Sequence, residues 1–396
     1  MILILLSLIL SSILILIGRN YVKAAFILSI IFLSLVGLLF NPYIAQSNGV
    51  YTDLVRFFDE LQLIKNYNLN DVLSSSVEPF KTLYPGLLVN NIIMFVVSKI
   101  GNIHLFPFLS VFSFYSILYI QLYKECQKYR LNKYKILLIF WLVYALINLT
   151  DPMDNIRNPF TSLFGVILLY NNLINGSSNI RTGVGYIIIF FIHSSAIIFP
   201  IINLVVKISN RWTKYIITSI VFIFSIFSYQ ISSSLLSLIP GGSTLFNIIN
   251  KLNAYSGGQA DLVNYGTVFQ KAMLWLTAVV AILVWRLFNK QTEEAIKKFS
   301  NACMFCIAIF LAGSAFSVHI FFRFGFILSI FILVMLPAVL RNNTDDMFSS
   351  DSGIAIVNSK ISFSYLSLYI LLGITILINL SWYFDTSAYR SINLGG

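Results

Sequence analysis

Apolar runs long enough to cross a bilayer recur along this sequence from one end to the other, and they decide what the chain can fold into. A helix rises about 1.5 Å per residue, so about 20 apolar residues span the hydrocarbon core. The first run, MILILLSLILSSILILIG, has neither a basic start nor a polar cleavage region and reads as a retained helix rather than a signal peptide. Further runs cover 22–40, 86–100, 104–123, 135–150, 158–174, 183–206, 215–238, 268–286, 300–320, 324–340 and 361–384. Together they make about eleven to thirteen hydrophobic segments, with no stretch between them long enough for a sizeable soluble domain. A soluble fold could not cover a chain that is 58% hydrophobic with only 10% charged residues. The expected class is an all-α, polytopic integral membrane protein, with residues 1–396 forming a single transmembrane domain.

The net charge of +11 is not a nucleic-acid signature here, because Lys and Arg in short loops mark the cytoplasmic side of a membrane protein. KECQKYRLNKYK (124–135) carries five of them against one Glu and is assigned to the cytoplasm. Arg19 with Lys23, Lys207 with Arg211 and Lys214, and Arg286 with Lys290, Lys297 and Lys298 read the same way. In 41–85, by contrast, Asp53, Asp59, Glu60, Asp71 and Glu78 outnumber Arg56, Lys65 and Lys81, so that loop is expected outside, as is the Gly- and Asn-containing loop 239–267. Cys303 and Cys306 form a CxxC inside an apolar helical run, and no redox role is expected of them. Asp345, Asp346 and Asp351 fall in a short cytoplasmic loop and are assigned no chemistry.

Strict alternation of every segment does not satisfy these sides. Between the external 41–85 loop and the cytoplasmic 124–135 loop lie two apolar runs, so the shorter, GLLVNNIIMFVVSKI, is expected to lie in the interface or re-enter. The run 183–206 has the same parity problem, and its turn would fall near His193, Ser194 and Ser195. Two readings stay open: a broken helix with a polar vertex in an outward cavity, or one helix whose Ser and His bond to neighbouring helices.

Other polar groups come to the same outer side. Arg157 lies at the mouth of a helix in NLTDPMDNIRNPFTSLF, and SVHIFFRFGF places His319 and Arg323 between two apolar runs. Outward arginines run against the positive-inside bias, and a planar guanidinium suits the oxygens of an anionic, diphosphate-bearing headgroup. The plain alternative is that Arg157 pairs with Asp151 or Asp154 and that Arg323 snorkels to the interface. In YTDLVRFFDELQLI, Asp53, Phe57 and Glu60 share a helical face, as on a helix lying on the membrane; Asp53 is a candidate general base for a sugar hydroxyl.

With YTDLVRFF, EPFKTLYPGLL, NIRNPFTSLF, FIHSSAIIFP and FFRFGFILSIFILVMLP in this order, the chain resembles the EpsG/Wzy-like polymerases of bacterial surface polysaccharides. It departs from their pattern at Pro159 and Phe160, where a small residue is expected soon after the arginine. The resemblance implies a helical bundle similar to the GT-C glycosyltransferases with an outward-facing cavity, in the bacterial inner membrane. It implies a glycan donor and acceptor carried on undecaprenyl diphosphate, and it admits a chain-length regulator as a partner. Residue by residue it singles out Asp53 and Arg56, Arg157, His193 and Arg323. Arg157, Arg323 and Arg56 would hold the diphosphate, with His193 or Asp53 as base or orienter, and no nucleotide, metal or other cofactor is required. The competing classes are an O-antigen ligase, whose usual large external domain is not evident; a flippase or other transporter, for which internal repeats are missing; and a membrane O-acetyltransferase, which would need its polar groups on the cytoplasmic side.

Overall fold

The computed structural model describes residues 2–43, 53–81, 83–84, 86–154, 157–208, 218–219, 223, 228–238, 268–290, 293–341 and 363–385. The expected 239–267 loop, part of the 41–85 loop, and Asp345, Asp346 and Asp351 lie outside them. The described residues are helical, with no strand among them. In chain order the helices are α1 (Ile2–Ile17), α2 (Val22–Leu39), α3 (Asp53–Ile64), α4 (Leu69–Leu73), α5 (Leu88–Ile100), α6 (Leu105–Lys128), α7 (Lys133–Leu146), α8 (Thr150–Asp154), α9 (Arg157–Leu173), α10 (Asn179–Phe190), α11 (Ile198–Lys207), α12 (Ser228–Leu238), α13 (Val268–Phe288), α14 (Glu294–Phe316), α15 (Val318–Arg341) and α16 (Phe363–Asp385). Six stretches among the described residues are long and apolar enough to cross a membrane: Arg19–Leu39, Leu105–Lys128, Val268–Phe288, Glu294–Ser314, Val318–Arg341 and Ser364–Ser381. The protein is an all-α polytopic membrane protein. The run at 86–100 forms the 13-residue α5, roughly 20 Å long and too short to span.

The chain forms two compact units, residues 1–200 with 333–396, and residues 201–332. In the first, α1, α2, α6 and α7 pack together and α16 lies against α7. Their outer faces expose Ile9, Ile13, Ile31 and Ile120 as lipid-facing helices do, while their inner faces carry hydroxyls. Ser7, Ser29, Tyr119 and Tyr144, one from each helix, form a buried cluster with Ser7–Tyr144 at 2.5 Å, Ser29–Tyr144 at 2.7 Å and Ser29–Tyr119 at 3.1 Å. Lipid tails are as apolar as Leu, so helices in a membrane are joined by such bonds and by close packing of small residues. Gly37 supplies the second device: a Cβ there would stand 3.0 Å from the Pro107 carbonyl oxygen at the start of α6.

α9 runs alongside α6 in the same direction. The Ser110 hydroxyl donates to the Pro152 carbonyl just ahead of α9, and the Tyr170 hydroxyl near its end donates to Glu125 at 2.5 Å near the end of α6. The unit therefore has two distinct ends. One gathers Arg19, Lys124, Lys128, Arg130, Lys133 and Lys135; the other gathers α3, α8 and the start of α9. In the second unit, Trp275, Phe310 and Phe321 form a ring cluster, with Phe310 and Phe321 at 4.9 Å, and Leu274 fills the space beside Gly325.

Candidate functional site

The start of α9 is set by its own chemistry. Pro159 is the third residue of α9, where a backbone N–H has no partner within the helix, so the departure from the family pattern is accommodated in the first turn. This puts Arg157 at the helix mouth. α8 docks beside it, and Asp154 Oδ1 accepts from the Leu54 N–H at 3.0 Å, placing a carboxylate on the N-terminus of α3. α3 then buries Phe57 and Glu60 on one face, the face expected from their spacing.

Arg157 lies over two aromatic rings. Its guanidinium carbon is 4.4 Å from the Tyr84 ring centre and 5.4 Å from that of Phe57, and the two rings are nearly parallel at 6.4 Å. Tyr84 and Phe57 are buried, which moves the cation–π attraction from the exposed value of about 0.5–1 kcal/mol towards the desolvated one of about 2 kcal/mol. The Tyr84 hydroxyl donates to Glu60 Oε2 at 2.5 Å. Arg56 reaches Glu60 at 3.5 Å and Asp53 at 3.7 Å, and its guanidinium is 5.2 Å from the Phe57 ring centre. Burial pushes the Glu60 carboxyl above its ordinary value, against the lowering by the Tyr84 hydroxyl, Arg56 and Arg157. Asp151 is pushed up to about 7, by burial first and then by the negative charge of Asp154.

His193 lies in the same unit, and the chain breaks there. α10 ends at Phe190, His193 is extended, and a short 3-10 turn over Ser194–Ile197 leads into α11. The path reverses. Gly185 lies against Leu168 of α9, and a Cβ on Gly165 would stand 2.3 Å from the Phe199 ring; an unbroken helix would carry Phe199 roughly 20 Å beyond Gly185. Of the two readings, the broken helix is the one observed. Since α10 runs antiparallel to α9, with Asn179 bonded to Asn172, its turn lies towards the Arg157 end of α9.

The first turn of α5 ties that turn to the aromatic cluster. The Asn90 N–H donates to the Phe191 carbonyl at 3.3 Å, and the Asn91 amide donates to the Tyr84 carbonyl at 3.2 Å. The Ser195 N–H donates to His193 Nδ1 at 3.1 Å, with Ser195 Oγ 2.6 Å from the same atom. An N–H can only donate, so Nδ1 is the acceptor and the neutral ring carries its proton on Nε2. In this geometry Nε2 presents a donor.

Asp53, Arg56 and Arg157 are thus brought together, with His193 linked to them through α5. Arg323 is half-buried near the start of α15, in the second unit. Sequence reasoning missed Tyr84, Asn90, Asn91 and the neighbourhood of Glu60. The signal for the asparagines was there, a polar pair inside the apolar LVNNIIMFVV; for Tyr84 it was only an aromatic before Pro85 in a loop. No group of three His, Cys, Asp or Glu side chains among the described residues is arranged to hold a metal ion.

The model of the EpsG family matches residues 48–387. The chain belongs to the EpsG family. This is the family of Wzy-like polysaccharide polymerases, and membership gives this protein a polysaccharide polymerase-type function in general. No curated protein and no solved structure matches the chain. The family match spans the Asp53–Glu60 helix, Tyr84, Arg157 and the His193 turn, and extends to Arg323.

Proposed function

We propose that this EpsG-family protein lengthens a bacterial surface polysaccharide by joining oligosaccharide repeat units carried on undecaprenyl diphosphate at the outer face of the inner membrane. The observation that carries the reading is Arg157, stacked over Tyr84 and Phe57 beside Arg56 and two carboxylates, at the end of the helices opposite the Lys- and Arg-rich end. Basic loops favour the cytoplasm, so the Arg157 end faces out.

In this reading a hydroxyl of the incoming unit attacks the anomeric carbon of the growing chain. The bond from that carbon to the diphosphate oxygen breaks, its electron pair stays on the oxygen, and the hydroxyl proton passes to Asp53. Arg157 and Arg56, with Arg323 as a further candidate on its chemistry alone, meet the charge that develops on the leaving diphosphate; donors aimed at such charge typically contribute a factor of about 10²–10³ in rate. His193 orients the substrate through Nε2–H rather than taking the proton.

The test is a gel of surface polysaccharide from the source organism lacking this gene and carrying a plasmid copy. Arg157→Ala, at normal protein level, is expected to collapse the ladder to single repeat units. An intact ladder removes Arg157 from the site. Loss of every repeat unit, instead of chain growth alone, would point to a ligase or a flippase.

A further inference from the structure

At the opposite end from Arg157, the 3-10 turn Arg19–Tyr21 and the C-terminal end of α6 border an open cavity of about 570 Å³ lined by Arg19, Asn20, Tyr123, Gln127 and Arg130. No carboxylate lines it, and neither arginine forms an ion pair among the described residues. Arg19 is held in place: its Nη2 donates to Gln127 Oε1 at 2.9 Å and towards the Gln127 carbonyl at 3.4 Å, leaving Nε and Nη1 of the planar fork for another acceptor. Arg130 has a positive φ of 50°, unusual for a residue with a side chain, and its N–H donates to the same Gln127 carbonyl at 3.1 Å. Gln127 thus organises both cationic residues around one polar space.

The surroundings say what kind of anion reaches it. Ile17 precedes Arg19, Tyr21 follows Asn20, and Ile120 lies one turn before Tyr123 on α6; all three are exposed. The cavity therefore borders an apolar outer face, with a tyrosine at the boundary where membrane proteins place aromatic side chains. That is the depth of lipid phosphates, and two guanidinium groups with amide and phenol donors suit phosphate oxygens. We propose that this cavity seats the phosphate headgroup of an anionic phospholipid, its acyl chains running down the exposed face at Ile17 and Ile120. The shared chemistry is a phosphate anion, and a soluble phosphate is the competing source. The proposal is independent of the catalytic reading.

Full-length purified protein in detergent micelles, offered phosphatidylglycerol or phosphatidylcholine with identical acyl chains, would be followed by native mass spectrometry. Phosphatidylglycerol adducts are expected to predominate, and the preference to fall roughly tenfold in Arg19→Gln/Arg130→Gln. It should persist in Lys297→Gln/Lys298→Gln, a control of equal charge change, and in millimolar inorganic phosphate. If the double variant melts before measurement, Arg130→Gln alone, at an exposed position, should still weaken the preference. Equal binding of both lipids, or an unchanged preference in the arginine variants, overturns the proposal. Displacement of the lipid by inorganic phosphate that itself binds the protein assigns the site to a soluble anion and overturns the lipid assignment.

Discussion

The reversal at His193 can be tested at Gly165. A methyl group placed there would meet three carbons of the Phe199 ring at 2.3, 2.4 and 2.5 Å. Carbon atoms pack at about 3.5–4.0 Å, so the ring must retreat by at least 1 Å or so. Phe199 is 2% exposed, so the retreating ring must displace other buried groups. Gly165→Ala should therefore cost about 1–3 kcal/mol, the usual penalty of overfilling a packed interior. Phe199→Ala alone should cost about 3–5 kcal/mol. In the double variant the methyl enters the space the ring has left, so the loss should not exceed that of Phe199→Ala, giving a coupling of about 1–3 kcal/mol. Thermal unfolding of the detergent-solubilised variants measures the ranking. If the chain ran straight through 193 instead, Gly165→Ala would sit on an ordinary helix face and would stabilise by up to about 1 kcal/mol through helix propensity. A neutral or stabilising Gly165→Ala, or strictly additive losses, would refute the reversal. The surface-polysaccharide ladder should shorten in Gly165→Ala too, because the ring that must move follows the His193 turn closely.

Tyr84→Phe keeps the ring beneath Arg157 and removes only the hydroxyl that donates to Glu60, a loss of about 1–3 kcal/mol for a buried charged acceptor. Because that hydroxyl lowers the Glu60 pKa, its removal raises further a value that burial has already raised. A folded carboxyl with a raised pKa adds stability at low pH, and that contribution is lost as pH rises through the folded value. Charged Glu60 is what pairs with Arg56, so the acid limb of the polymerisation rate should move to higher pH in Tyr84→Phe; a limb that stays in place separates Glu60 from activity. His193→Asn can still accept from the Ser195 N–H through its side-chain oxygen but has no equivalent of Nε2–H. It should fold with a near-normal melting temperature and lose chain growth, whereas His193→Ala should lose both; full chain growth in His193→Asn would limit His193 to shaping the turn.

The residues of the candidate site stand in short motifs that the sequence displays, but their geometry does not follow from those motifs. Asp53, Phe57 and Glu60 fall on one face because helical spacing is a local rule, and that face is the one α3 turns towards Tyr84 and Arg157. The break at His193 was legible as a conflict between charge-assigned sides and apolar run length, but only as one of two options. The donor character of Nε2 was not legible at all, since it depends on which backbone N–H the 3-10 turn aims at Nδ1. Asn90 and Asn91 stand out in an apolar run, yet nothing local says that one bonds Phe191 and the other Tyr84.

The amino-acid order by itself determined that this chain is an all-α, polytopic membrane protein, because hydropathy and run length act through the bilayer and need no knowledge of neighbours. It also singled out the charged residues that are costly to hold in such a chain. Which of them share a site was decided only by tertiary structure. Tyr84 meets Arg157 because α8 caps α3 and α9 begins beside it, and Phe199 meets Gly165 because a side-chain-free position lets the returning arm lie against α9. Both are contacts between segments far apart in the chain, and they depend on close fit rather than on the average polarity that a sequence window records.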